Sequence, residues 1–217
     1  WAASPPCRRA SFASLIAMSR LAWSVVAPAS CEAVPVRRFA MSLAVAIASG
    51  RETWLQRRIV RRGEAVVYMV GEDAIGLANR LRAECKSQGL DLDSLPIYFT
   101  ERPGELTKRE DAAVWVQAIR DIVPGKVALL VVDTQVRNFG PGDESSTEDM
   151  ANFLNHCALV ANALRCVVGL VHHKGHLSKD RARGSSAQIG ALDACFEVVK
   201  QERTDKPDLV ECRPTKH

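Results

Sequence analysis

The sequence predicts an α/β fold in which a mostly parallel central sheet is flanked by helices on both faces. Residues 127–132 (VALLVV) form an uncharged run rich in valine that ends in one carboxylate, Asp133. Residues 65–71 (AVVYMVG) and 166–172 (CVVGLVH) are runs of the same kind. Unbroken apolar strands are buried on both faces, as in a parallel sheet covered by helices. Amphipathic stretches long enough to be right-handed crossover helices separate these runs.

The elements follow in order. Residues 38–50 (RFAMSLAVAIASG) read as a buried helix with Phe39, Leu43 and Ile47 on one face and Gly50 as C-cap. The strand at 65–71 leads through Glu72 and Asp73 into a helix over 74–88, stopped by Gly89, with Ile75, Leu77, Ala78 and Leu81 inward. Residues 96–100 (PIYFT) read as a short strand. Residues 109–122 form an amphipathic helix with Val114, Ala118 and Ile122 on one stripe, ended by Pro124 and Gly125. After the central strand, 137–147 (RNFGPGDESST) is a polar loop. A long helix runs over Thr147–Leu164, with Thr147 as N-cap and Met150, Leu154 and Ala158 inward. Beyond the strand at 166–172 come a basic polar loop (174–188), a strand at 191–199 and an edge strand at 208–212.

The chain of 217 residues suffices for one α/β domain with a sizeable core. Its seven cysteines include no CxxC pair, which argues against a zinc site and suits a reducing cytoplasm. No apolar stretch is long enough to span a membrane. Charge is uneven: residues 1–50 hold five arginines and one acid, Glu32, whereas the other 167 residues hold 24 basic and 24 acidic side chains. The body therefore offers no net-basic footprint for nucleic acid. The Arg/Ala/Ser-rich, acid-poor opening segment has the composition of an organelle transit peptide. Before Arg38 no element is assigned.

Three strand ends carry polar groups: Glu72-Asp73, Asp133 and His172-His173. Open α/β sheets bind ligands at the carboxyl ends of their strands, so these groups can converge on one site. A carboxylate there can hold Mg²⁺, a second can orient or deprotonate a water, and histidines can contact a phosphoryl oxygen. Each also has a plain structural reading. Asp133 could cap the next turn, Glu72 could cap the following helix, and His172 could be a satisfied core histidine.

The segments VVYMVGED (66–73), ALLVVDT (128–134), GLVHHKG (169–175) and RARGSSA (181–187), in this order and spacing, resemble the RepA-type hexameric replicative helicases. These are RecA-like P-loop NTPases of the AAA_25 grouping. The likeness runs from about Phe39 to the C-terminus. It implies an ATP hydrolase using ATP and Mg²⁺, assembled as a homo-oligomeric ring, expected to be a hexamer, on single-stranded DNA. By the resemblance Asp133 is the Walker B aspartate acting on Mg²⁺. Glu72 polarises the attacking water, and His173 with His172 beside it senses the γ-phosphate. Arg183 is an arginine finger reaching a neighbouring subunit's site. Thr134 and Ser185 fall in the same motifs as nucleotide-side residues. A single-strand DNA contact through the loop 174–188, with Lys174, Lys179, Arg181 and Arg183, is a candidate by charge. A circadian-clock-type signalling ATPase on the same fold matches less well.

The chain departs from the family where phosphate should be held. A P-loop reads G-x-x-x-x-G-K-[ST] just before its helix. Here ASCEAVPVR precedes the helix, the first glycine is Gly50 and the first lysine is Lys86. Val36-Arg37 stand where the family has Lys-Ser, and Pro35 lacks an N–H donor. The expected organisation is thus an atypical segment 1–37, poorly ordered or aberrant, and a RecA-like core 38–217 cut short before its closing strands. Three origins fit the segment: a degenerate, non-hydrolysing subunit; a transit-like extension; or translation from a shifted frame. The abrupt composition change near Arg38 favours the last. Reading the gene in all three frames should then reveal a Gly-rich GK[ST] stretch upstream of codon 38, and its absence would sink that origin.

Overall fold

The computed structural model describes residues 23–27, 34–173, 190–200 and 210–216. Along the chain run β1 (Trp23–Ala27), α1 (Val34–Ala48), the two-residue strands β2 (Thr53–Trp54) and β3 (Arg57–Arg58), β4 (Ala65–Val70) and α2 (Ala74–Ser87). They are followed by β5 (Ile97–Phe99), α3 (Arg109–Ile122), β6 (Val127–Asp133), α4 (Gln135–Phe139), α5 (Thr147–Leu164), β7 (Val167–His173), β8 (Ala194–Lys200) and β9 (Val210–Lys216). Among the described residues the main sheet has the order β5-β4-β6-β7-β1-β8-β9. Every pairing in it is parallel except β8 with β9. This is the mostly parallel α/β architecture expected from the sequence.

Strand alternation divides the core into two layers. Val66, Tyr68, Val70, Leu129 and Val131 pack with α1 and α2 through Ala40, Met41, Ala44, Val45, Leu77 and Leu81. Val67, Met69, Leu130, Val132, Val168 and Leu170 pack with α3 and α5 through Trp115, Ile119, Phe153 and Val160. Every residue of β4 and of β6 is buried, as their unbroken apolar sequence requires.

Several local expectations are corrected. The helix expected over 38–50 begins at Val34. Pro35 lies in its first turn, where an N–H would have no partner within the helix anyway. On α2, Ile75 is exposed, and Leu77, Leu81 and Cys85 form the buried side. On α3, Val114 is exposed, because the helix turns Ala112, Trp115, Val116, Ala118 and Ile119 inward. The Trp115 indole sets that rotation: it is the bulkiest group on the helix, and its Nε1–H donates to the Gly104 carbonyl at 2.7 Å. α5 spans the predicted residues, but its cap is Ser146, whose hydroxyl accepts from the Asp149 N–H, and Ala158 faces solvent. The loop predicted at 137–147 begins inside the short helix α4, which covers its first three residues. The strand predicted at 191–199 starts at Ala194.

α4 is held by one side chain. Asn138 is fully buried, and its Nδ2 donates to the carbonyls of Thr134 at 2.9 Å and Met69 at 3.3 Å. Its Oδ1 accepts from the Gly104 N–H at 2.8 Å. One amide thus ties β4, α4 and the segment before α3 together. Gly71 makes this approach possible, since a Cβ there would stand 2.3 Å from the Arg137 Cβ. Replacing Asn138 with Ala strands the buried Gly104 N–H, and the cost of one such group is about 1–3 kcal/mol. Asn138→Ala should therefore lower the urea midpoint without changing the slope; an unchanged midpoint would remove Asn138 from this role.

Candidate functional site

The register of the sheet lines up the carboxyl ends of its central strands. Val70 of β4 pairs with Asp133 of β6, and Asp133 pairs with Val171 of β7. His172 and His173 pair in turn with Val26 and Ala27 of β1. β1, a stretch for which the sequence suggested no element, therefore lies in the interior of the sheet, between β7 and β8. The chain runs from β1 to one side of the sheet and from β7 across to the other, which makes this edge a topological switch point. Six residues separate β1 from helix α1, and Arg37 in the first turn of α1 meets Asp133 at the same edge.

The two acids after β4 have different tasks. Asp73, in the left-handed region at φ 51°, caps α2 by accepting from the Gly76 N–H at 2.9 Å. It also accepts from Arg80 at 3.1 Å. The Gly76 N–H first, and Arg80 second, hold its carboxyl below the usual range. Glu72 is turned away from this cap. Its Oε1 accepts from Arg37 Nη2 at 3.1 Å, and its Oε2 lies 3.3 Å from Arg137 Nε. Asp133, almost wholly buried, accepts from Arg37 Nε at 3.0 Å on Oδ1. One guanidinium therefore bridges the two carboxylates, using two different nitrogens.

Arg37 lies in the first turn of α1, with only 15% of its side chain exposed. Its arm to Asp133 is buried, where loss of one partner costs about 3–5 kcal/mol. Its arm to Glu72, which is 42% exposed, is worth at most ~1 kcal/mol. Burial, the largest influence, pushes the Asp133 carboxyl above the usual carboxylate range against the opposing pull of Arg37. Burial first, and the charge of Asp133 second, push the fully buried Tyr68 phenol well up as well. On the α1 side of this edge burial therefore disfavours charge at Asp133 and Tyr68, and Arg37 offsets that at Asp133.

The other sequence candidates are placed as follows. Thr134 is buried directly after Asp133; its carbonyl accepts from Asn138, and its Oγ1 has no hydrogen-bond partner among the described residues. His172 is buried, and by strand alternation it shares the face of Val168 and Leu170, opposite the face on which Asp133 meets Arg37. His173 ends β7, and its side chain lies outside the described residues. Arg183 and Ser185 lie outside the described residues too, as do Lys174, Lys179 and Arg181 of the basic loop. Sequence reasoning set Arg37 aside and did not consider Arg137. The available clue was Pro35, which marks a first helical turn and so puts Arg37 over the sheet edge.

The family resemblance implies Mg²⁺ at this edge. Carboxylate oxygens are the right donors for it. As arranged, however, both oxygens of Glu72 and one of Asp133 already meet guanidinium nitrogens. Among the described residues no group of three or more His, Cys, Asp or Glu is placed to hold a metal ion. The arrangement does not fit a bound dication.

The influences of Arg37 on Asp133 both favour the ionised form. In Arg37→Met the Asp133 carboxyl should therefore titrate at still higher pH. A folded-state value above the unfolded one means that the native state holds the extra proton. The stability associated with Asp133 then falls as pH rises from the ordinary carboxylate range through the raised value. Carboxyl ¹³C chemical shifts across a pH titration read this directly, and an unmoved or lowered Asp133 midpoint in the variant would refute the assignment.

Among the described residues no helix is long and apolar enough to cross a membrane. No curated protein matches the chain. The model of the AAA_25 family, an AAA domain, matches residues 38–179. That match spans the three strand ends at Glu72, Asp133 and His172, and it begins one residue after Arg37. With most of its length matched and the RecA-like sheet in place, the chain belongs to the AAA_25 family of AAA-type, RecA-like ATPase domains.

Proposed function

We propose that this chain is the ATPase core of a RepA-type replicative helicase, a motor that works as a ring of identical subunits on single-stranded DNA. The observation that carries the reading is the meeting of Glu72 and Asp133, from neighbouring strand ends, on one group above the carboxyl edge of the sheet. Two carboxylates at that edge supply part of what phosphoanhydride hydrolysis needs: one buried and fixed, one half-exposed beside it and able to orient water. The motifs GLVHHKG and RARGSSA support the helicase kind. In this reading ATP lies between subunits, and Arg183 of a neighbouring copy neutralises charge on the transferred phosphoryl. In the same reading single-stranded DNA contacts the basic loop 174–188.

A specific observation favours a second reading for the chain as it is built. Arg37 holds both carboxylates, and no glycine or lysine precedes α1 to cradle phosphate. A subunit of this kind is a non-hydrolysing RecA-like module that joins a replication assembly through its fold. Equilibrium binding of a fluorescent ATP analogue separates the two. Micromolar binding supports the motor, and no binding at millimolar nucleotide supports the module. If turnover is measurable, Glu72→Gln should lower it by roughly 10²–10⁴-fold with analogue binding retained. Turnover that survives Glu72→Gln would remove Glu72 from the chemistry.

A further inference from the structure

Arg37 is a positive charge fixed at the point where the family places a metal-facing hydroxyl. It is not a loose surface arginine, because its backbone is anchored in α1 between the fully buried Val36 and the core face of the helix. Its Nε and Nη2 address two different residues at 3.0 and 3.1 Å, as the rigid guanidinium fork allows and a lysine could not. The second oxygen of Glu72 is taken by Arg137 at 3.3 Å. Two carboxylates therefore face two guanidinia, and the local charge is already balanced. Mg²⁺ needs near-octahedral oxygen ligands at roughly 2.1 Å. Those oxygens cannot turn toward a dication while the guanidinium lies between them.

We propose that the Arg37 guanidinium is a built-in cation that stands in for the divalent metal between Glu72 and Asp133, that arginine and metal exclude each other there, and that removing the guanidinium alone opens a Mg²⁺- or Mn²⁺-binding site. The inference takes from the ATPase reading only the identity of the acidic pair; it requires neither nucleotide binding nor turnover. It explains how a member of an ATPase family keeps both acids of its site without the phosphate loop. The acids are retained as partners of an arginine, and the buried Asp133 would otherwise be an uncompensated charge.

The test is a Mn²⁺ titration without nucleotide, followed by the loss of the free-ion electron paramagnetic resonance signal. It compares the full chain, Arg37→Ser, Arg37→Gln and the double variant Arg37→Ser with Asp133→Asn. Each arginine variant should bind one Mn²⁺ roughly 10–100-fold more tightly than the unmodified chain, the scale on which neighbouring groups tune metal affinity. The double variant should lose that gain. Arg37→Gln removes the charge but keeps part of the stem and an N–H donor, which guards against a folding defect in the serine variant. A second readout is thermal: Mn²⁺ should raise the Tm of Arg37→Gln and leave that of the unmodified chain unmoved. Equal Mn²⁺ affinity with and without Arg37, or a gain that survives Asp133→Asn, overturns the proposal. Failure of the ATPase reading would show instead in the nucleotide-analogue titration and would leave these Mn²⁺ results standing.

Discussion

The constraint on which the structure depends is the burial of β6 on every side. It pairs with β4 along one edge and with β7 along the other, and helices cover both of its faces. A strand so placed can carry polar chemistry only at its ends. Asp133 is the first polar side chain at the carboxyl end, and it is still almost fully buried. A buried carboxylate must be paired, bound to a cation or protonated. The arrangement of α1 follows from this, because its first turn delivers the guanidinium that meets the charge.

A second layer of organisation supports the first. Gly71 leaves room for α4 to lie against the end of β4, and its N–H donates to the Asp133 carbonyl at 2.7 Å. Asn138 then clamps α4 from below, and Arg137 on the same short helix reaches Glu72. The exposed acid of the pair is thus positioned by two arginines from two helices. The neighbouring acid, Asp73, is committed to capping α2. Adjacent acids are thus separated into a helix cap at Asp73 and an ion-paired side chain at Glu72 by backbone conformation and by the arginines each one meets.

Much of the fold was legible in the sequence because burial leaves a periodic trace. Uninterrupted valine-rich runs betray strands covered on both faces, and the alternation of these runs with amphipathic segments betrays parallel crossovers. Helix rotation was less legible. Val114 and Ile75 satisfy a helical stripe on paper, yet the bulk of Trp115 and the packing of Leu77 and Leu81 turn them to solvent. The strand Trp23–Ala27 was not legible at all. Its short apolar run sits in an arginine- and alanine-rich context, and its strand character comes from the neighbours it pairs with, β7 and β8.

For the site, the sequence by itself determined which strand ends carry carboxylates and that no phosphate-cradling glycine or lysine precedes α1, because these are properties of residue type and order. Only the tertiary structure decided what those carboxylates meet. Arg37 is 35 residues from Glu72 and 96 from Asp133 along the chain, and nothing local links them. The crossing from β1 through α1 to β4 brings the three together, and the burial of Asp133 strengthens its arm of the ion bridge. Sequence order showed that no phosphate-cradling residues precede α1, and folding showed that Glu72 and Asp133 meet on an arginine.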